Sequence, residues 1–417
     1  MIETGSTGCL RRSIGIGLED DIVRILVLTH EFPPFRGGVG TYCVEMARAA
    51  TAQGHTVEIL APDFGNDNTA ADRLYPFAVR RFAGGVYATR ALPRLLFALL
   101  RVRPWTFDVI HAADWPFVMV IPWLRRLTRR PIVAMMHGTD VLLLAKSRVT
   151  GLLFGRSYLR GADHVVANSR FTEALVLRHH PYLASPPRTA VTLLGVDPFW
   201  FGTSADAAAT LAKYAVPTGR KLLLTVARLD VRKGHRHLLQ ALALLPQHAK
   251  DQLGYVVVGK ALDASYQDEL KRLAAACGVP VVFTGAVSND DVRSFYASAW
   301  LFCMVAEPNP EKVEGFGLAY LEAAAQSLPS VAAPHGGVPE VVLDGETGVL
   351  LEDRSPEKLA GLLEQLLDRP QDVEKFGAAA KNWAQTFSWE RCAELTYRPD
   401  TAAHRPHPRA EIAAGRS

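Results

Sequence analysis

Short apolar runs recur along this chain at intervals that leave room for a helix between most neighbours. Arg24–Thr29 (RILVLT) is the first, followed by Thr56–Ala61, Ala78–Phe82, Asp108–His111, Ile132–Met136, His164–Ala167 and Thr189–Leu194. In most of them the apolar residues are continuous rather than alternating, the pattern of strands covered on both faces of a parallel sheet. Segments with helical spacing, such as Thr41–Gln53 stopped by Gly54, separate them and predict a βαβ rhythm. A second series starts at Lys221–Ala227 and runs through Tyr255–Gly259, Val281–Thr284, Trp300–Val305, Ser330–Ala333 and Gly348–Leu351. The pattern predicts an α/β protein of two doubly wound, Rossmann-like domains. Residues 22–197 form the first, a linker with a polar, Ala-rich stretch over Thr203–Tyr214 covers 198–218, and the second spans 219–387. A last helix occupies 388–398. Residues 1–21 lack the apolar segment of a signal peptide and read as a flexible extension; 399–417, rich in Pro, Ala, His and Arg, reads as a disordered tail.

A length of 417 residues agrees with two domains rather than one. Cys9, Cys43, Cys277, Cys303 and Cys392 are scattered and form no CxxC pair, which predicts a reduced, cytoplasmic protein without a cysteine-held metal. The net charge of +4 is unevenly spread: residues 1–200 carry +7 and the remainder −3. Two segments concentrate the excess. Arg90–Arg103 sets Arg90, Arg94 and Arg101 on one predicted helical face against Leu95, Leu96, Phe97, Leu99 and Leu100, and Arg125–Arg130 (RRLTRR) is the other. Such segments suit an anionic membrane surface, and equally the solvated face of a core helix. No recognised binding motif or aromatic interleaving accompanies the charge, which argues against nucleic acid as a partner.

The candidate chemistry lies at the ends of predicted strands, where ligands of doubly wound sheets bind. After Trp300–Val305 come a polar loop, then Glu314-Gly315-Phe316-Gly317 and a helix over Leu318–Ser327. Glycines at a strand-to-helix turn let backbone N–H groups approach an anion, and the helix terminus adds positive potential. Glu314 and Glu322 flank this turn; carboxylates suit hydroxyl groups rather than phosphate. An anion cradle between two hydroxyl-binding acids fits a sugar nucleotide. Arg228 and Lys233 bracket the loop after Lys221–Ala227, where a forked and a point cation can neutralise a departing diphosphate. Gly37, Gly38 and Gly40, after the first strand, either approach a phosphate or acceptor or simply form a tight turn. Asp114 and His137 emerge from the fourth and fifth strands; Asp140 either orients the His137 imidazole or caps the next helix. Thr284-Gly285 ends another strand and suits the wall of a base pocket.

These residues carry a resemblance. Glu314-GFGLAYL-Glu322 with Pro329, Gly336-GVP-Glu340, Asp344-GET-Gly348 and Ala227-Arg228 with Lys233-Gly234 resemble GT-B glycosyltransferases of family 4. That retaining group includes phosphatidylinositol mannosyltransferases and sucrose synthase-like enzymes, and the resemblance spans about residues 22–398. It implies two Rossmann-like domains facing across a cleft, with the C-terminal helix crossing back to the first domain. It implies transfer of a hexosyl group from a UDP-sugar or GDP-mannose to a lipid-linked or small-molecule hydroxyl acceptor, without cofactor or metal. Arg228 and Lys233 would hold the diphosphate, Glu314 with the backbone of Phe316, Gly317 and Leu318 the transferred sugar, and Glu322 the ribose. Gly285 would touch the base; Gly37, Gly38 and Gly40 the β-phosphate or acceptor; His137 the donor sugar near the reacting carbon. Asp114 and Asp140 fall on the acceptor side. Two departures stand out: a long polar loop over Ala306–Val313, and His111-Ala-Ala-Asp-Trp115 where relatives have HAHDW. A nucleotide-sugar 2-epimerase on the same fold and a non-catalytic sugar-nucleotide binder are the alternatives.

Overall fold

The computed structural model describes residues 22–85, 92–146, 158–185, 188–203 and 206–397. The extension 1–21, Arg90 and the tail 399–417 lie outside the described residues. Two all-parallel sheets form the frame. The first has the order β3-β2-β1-β4-β5-β6-β7, with β1 Arg24–Leu28, β2 Thr56–Pro62, β3 Ala78–Phe82, β4 Val109–Ala112, β5 Ile132–Met136, β6 His164–Ala167 and β7 Thr189–Val191. The second has the order β10-β9-β8-β11-β12-β13, with β8 Lys221–Val226, β9 Leu253–Val258, β10 Val281–Gly285, β11 Leu301–Met304, β12 Ser330–Ala332 and β13 Gly348–Leu350.

Strand direction of growth reverses between β1 and β4 in one sheet and between β8 and β11 in the other. The loops that splay apart at such a reversal leave a crevice at the carboxyl ends of the strands. His30, Asp114, His137, Arg228 and the 306–317 loop all leave strands there, so the topology alone gathers the chemistry of both halves.

Every residue of β4 and β5 is buried, as their continuous apolar runs require for a central parallel sheet. Helix α1, Gly38–Ala52, starts three residues earlier than the apolar periodicity indicates, because extended Gly37 serves as its N-cap. The basic helix α2 covers Leu92–Val102. Its buried stripe is Leu95, Ala98, Leu99 and Val102, whereas Phe97 and Leu100 are 61% and 49% exposed. This corrects the expectation that Phe97 and Leu100 back the basic face: a period of about 3.6 residues carries 95, 99 and 102 inward and turns 97 and 100 outward with Arg94 and Arg101. A second basic helix, α3, covers Ile121–Leu127 and ends at Thr128, ahead of Arg129 and Arg130.

The 198–218 segment is more than a linker. It holds the helix α4, Ala207–Lys213, which packs on α5, Asn289–Ser298, of the second domain. Lys213 and Tyr214 reach Asp291 of α5 at 2.9 and 3.0 Å. The final helix α6, Trp389–Tyr397, crosses back and packs along α1. Its end is pinned inside the first domain: His111 Nδ1 lies 2.7 Å from the Tyr397 hydroxyl and His111 Nε2 3.2 Å from that of Tyr42. His111 is fully buried, and burial followed by the neighbouring His137 lowers its pKa to about 3, so it is a neutral strut.

Candidate active site

A cavity of about 600 Å³ lies between the carboxyl ends of the two sheets. It brings together Gly37, Gly38 and His137 from the first domain with Arg228, Lys233 and Glu314 from the second. Phe316, Gly317, Leu318 and Glu322 complete its floor. A smaller pocket of about 200 Å³ adjoins it inside the first domain, lined by Phe35, Phe64, Trp115 and Leu143 with Asp114 and Asp140. Glu31, His137 and Thr139 line both spaces and form the junction between them.

Each cationic side chain is set by its loop. Asp230 accepts the Arg232 N–H at 3.0 Å and closes a short turn, Val231–Lys233. Gly234 then takes φ +77, and a Cβ there would sit 2.3 Å from the Val305 carbonyl oxygen of the neighbouring strand end. The turn therefore abuts the exit of β11, and Lys233 Nζ reaches Glu314 Oε2 at 2.6 Å. Burial pushes the Glu314 carboxyl up, but Lys233, then Arg232 and Arg228, outweigh it and hold Glu314 below its usual range. Glu314 is thus an anion in a cationic cluster, able to accept hydroxyl hydrogens.

Glu322 differs. It lies inside the helix Leu318–Ala325, accepts the Tyr296 hydroxyl at 3.1 Å, and is pushed up to about 7 by burial. Burial thus disfavours its charged form, which further hydroxyl donors would favour.

His137 ends β5. Its Nε2–H donates to the Ala113 carbonyl at 2.9 Å, and burial lowers its pKa, so the ring is neutral and Nδ1 is left as an acceptor. Neither reading of Asp140 holds as stated: it is the second residue of the helix Thr139–Lys146 rather than its cap, and its carboxylate accepts the backbone N–H groups of His137, at 2.8 Å, and Val141, at 2.9 Å. The imidazole is oriented by Ala113 instead. Asp114 accepts the Thr29 hydroxyl at 3.1 Å and the His30 N–H, fixing the loop after β1. Its Oδ1 is buried without a partner among the described residues while the side chain lines the smaller pocket, which suits a ligand hydroxyl.

Two predicted site residues stand apart. Gly40 is buried at the back of its loop, where its Cβ position meets the carbonyls of Glu31 and Phe35 at 3.5 Å; it shapes the loop and lies off the cavity. Gly285, at φ +70 on the end of β10, is also off the cavity, and its carbonyl accepts the Gly259 N–H at 2.9 Å. Conversely, Glu31 and Asn168 were not singled out from the sequence. Burial raises the Glu31 pKa and Arg228 across the cleft opposes it. Asn168, 3% exposed, lines the larger cavity with its Oδ1 unpartnered among the described residues. Both sit at strand exits, β1 and β6, and that position was the one signal available.

The domains meet directly above the site. Thr139 Oγ1 donates to the Val313 carbonyl at 3.0 Å and accepts the Val313 N–H at 3.1 Å. Glu340 accepts the N–H groups of Arg170 and Phe171 at 3.0 and 3.2 Å, and Arg36 reaches the Val287 carbonyl at 2.7 Å.

Comparison with known proteins places this geometry. The family described as glycosyl transferases group 1 matches residues 206–383, and that described as glycosyltransferase family 4 matches residues 36–198. A GDP-mannose-dependent α-(1-6)-phosphatidylinositol monomannoside mannosyltransferase of Mycobacterium tuberculosis is 30% identical over 88% of this chain and 94% of its own length. A D-inositol 3-phosphate glycosyltransferase of Streptomyces scabiei is 28% identical over 90% of this chain and 89% of its own. Among solved structures, HepE of Anabaena in complex with UDP and glucose shares the fold at TM-score 0.74 and 22% identity, covering 92% of this chain and all of that one. A sucrose-phosphate synthase of Thermosynechococcus elongatus does so at TM-score 0.75 and 24% identity, over 91% and 100% of the two chains. The two-sheet fold thus has counterparts among solved structures, and the chain belongs to the family 4 glycosyltransferases of GT-B fold, enzymes that use a nucleotide sugar.

Proposed function

We propose that the protein transfers a hexosyl group, with retention and without a metal ion, from a UDP-sugar or GDP-mannose to a hydroxyl acceptor. The observation that carries this reading is the junction: His137 and Glu31 line both the cationic cavity and the smaller pocket beside it. The diphosphate lies against Arg228, Lys233 and the N-terminus of the helix at Leu318, with its sugar directed toward His137 and Glu314. The bond from the anomeric carbon to the β-phosphate oxygen breaks as Arg228 and Lys233 neutralise the charge that develops on it. An acceptor hydroxyl in the smaller pocket attacks the same face, and its proton passes to the departing phosphate oxygen. That two cations converge where the leaving group forms supports the metal-free reading.

The second pocket favours transfer over epimerisation, which needs no acceptor. Its aromatic and carboxylate lining suits a hydroxyl-rich ring with an apolar face. The inositol-based acceptors in the relatives' names support a cyclitol or lipid-linked glycoside of this type. Among the described residues no helix is long and apolar enough to cross a membrane. A cytoplasmic enzyme working at the inner membrane surface is consistent with that and with the basic helices.

A thermal-shift screen against UDP- and GDP-sugars tests the donor site. One nucleotide class should stabilise the protein, and Glu322→Gln should lose most of the shift. Failure of every sugar nucleotide to shift the midpoint would reject the reading. The pH dependence follows from Glu322. Hydroxyl donors favour its ionised form, so donor binding releases a proton and affinity rises with pH through about 7. Between pH 8 and pH 6 donor affinity should fall about tenfold. Titration calorimetry should show that slope flattened in Glu322→Gln; an unchanged slope would remove Glu322 from the donor site.

A further inference from the structure

A second large concavity, about 690 Å³, lies away from the cleft, beside the start of β1 and the end of α2. Arg24, Arg80, Arg101 and Arg103 line it, with Glu58 as the one carboxylate in its wall. Arg80 is held by Glu58 at 2.8 Å, and Arg24 is anchored on the Thr106 carbonyl at 2.9 Å over the Phe107 ring. Arg80 also reaches the Arg101 carbonyl at 3.4 Å, and four arginines thus share the lining of one open space with a single carboxylate. The rim is apolar and unusually bare. Phe97, Leu100 and Trp105 are 61%, 49% and 44% exposed, and Trp123 on the adjoining α3 is 43% exposed. Arg101 stacks over Phe97 and Arg126 over Trp123, at 5.8 and 5.6 Å from the ring centroids. Helix α3 packs on the Pro104–Thr106 turn that follows α2, which brings the two basic segments to the same region of the domain.

We propose that this face docks on a bilayer of anionic phospholipid, with a lipid phosphate seated in the Arg24, Arg80, Arg101, Arg103 pocket. The choice of occupant rests on the two features together. Forked guanidinium groups match phosphate oxygens, and a soluble anion would leave the aromatic rim without a role. Phe, Leu and Trp beside arginine are the composition of a surface lying in the headgroup region, apolar side chains entering the acyl boundary. Diffuse basic helices would give attraction without address; the pocket gives one headgroup a defined place. The inference deepens the membrane-surface part of the reading above. It places the docking contacts away from the crevice, so that donor and acceptor pockets stay open while the enzyme is bound.

The test is co-sedimentation of the full chain with vesicles of phosphatidylcholine alone or with about one third phosphatidylglycerol. Wild type should bind the anionic vesicles at least tenfold more tightly. Arg101→Gln with Arg103→Asn removes two pocket cations; asparagine suits the left-handed backbone of Arg103, φ 55. At about fivefold per basic residue the pair should weaken binding roughly 25-fold. Arg126→Gln with Arg129→Gln, in the neighbouring basic segment but outside the pocket, should cost fivefold or less. Equal losses from the two pairs would mean diffuse attraction and would overturn the pocket. Phe97→Ser with Leu100→Ser should weaken binding about tenfold and keep the preference for anionic lipid. Both side chains are exposed, so an unchanged melting midpoint separates this from misfolding. Competition by glycerol phosphate without vesicle binding would assign the pocket to a soluble anion, and capture of RNA without vesicle binding would assign the face to nucleic acid; either overturns the proposal. The donor thermal shift, run on the same preparations, keeps the two readings apart. A donor shift without vesicle binding rejects docking alone, and vesicle binding without a donor shift supports docking and rejects the donor reading.

Discussion

Lys233→Ala should lower kcat/KM by about 10² to 10³, with the loss mainly in kcat. The ammonium lies 2.6 Å from Glu314 Oε2, and the two side chains are only 14% and 17% exposed, so the charge acts where water screens it little. Charge on the departing phosphate grows as the anomeric bond breaks, and a cation in place at that moment stabilises the transition state more than bound donor. Removal also strips Glu314 of its largest favourable partner. The arginines at 228 and 232 remain, so Glu314 stays ionised but moves up toward its ordinary range. Lys233→Arg should recover only part of the rate, because a planar fork does not occupy the same point as an ammonium on the tight Val231–Lys233 turn. Steady-state kinetics with the donor found by thermal shift decides it. A Lys233→Ala enzyme keeping more than a tenth of wild-type kcat/KM would remove Lys233 from the leaving-group site.

How much of this was legible in the sequence depended on how local the cause is. Continuous apolar runs specify buried parallel strands, so β4, β5, β8 and β9 stand where the pattern puts them, within a residue or two. Strand exits specify the crevice, and that suffices to gather His137, Arg228, Lys233, Glu314 and Glu322 around one space. Phe97 and Leu100 misled because apolar character alone does not say which side of a helix meets a core; the phase of Leu95, Leu99 and Val102 does. Asp140 read as a partner of the His137 ring or as a helix cap, and it is neither, because the helix begins one residue before it and its carboxylate turns back to the backbone N–H of His137. The 198–218 segment read as a linker because its helix finds its partner, α5, some 80 residues away in sequence. The same holds for His111, whose partner Tyr397 lies 286 residues downstream, and for Glu31, whose opposing charge is Arg228 of the other domain. Residues that act across the domain boundary carry no periodicity to betray them.

Gly315 is the sharpest case, since sequence reading gives it the role of an anion-binding turn and the structure gives it another. A Cβ at Gly315 would lie 1.8 Å from the His137 carbonyl oxygen and 3.0 Å from Asn168 Nδ2. His137 and Asn168 belong to the first domain, Gly315 to the second, so the missing methyl is what lets the domains touch. The obstructing atom is backbone at the end of a fully buried strand and cannot swing aside as a side chain would. Restoring an ordinary C···O contact of about 3.3 Å requires the domains to part by roughly 1.5 Å at this point. Thr139 with Val313, and Glu340 with Arg170 and Phe171, close in the same place and would be stretched with it. A misplacement of about 1 Å between reacting groups costs on the order of 10² in rate, so Gly315→Ala should lower kcat/KM by about 10² or more. The cores of the two domains are untouched, so the melting midpoint of the free protein should move little while small-angle scattering reports a wider particle. Gly361→Ala is the matched control. Its Cβ position is open, it lies on the exposed side of the helix Pro356–Asp368, and alanine there should raise stability by about 0.5–1 kcal/mol with turnover unchanged. Wild-type turnover in Gly315→Ala would show that catalysis does not pass through this closed arrangement. Loss of turnover with an unaltered scattering profile would move the defect from domain closure to the local geometry of His137.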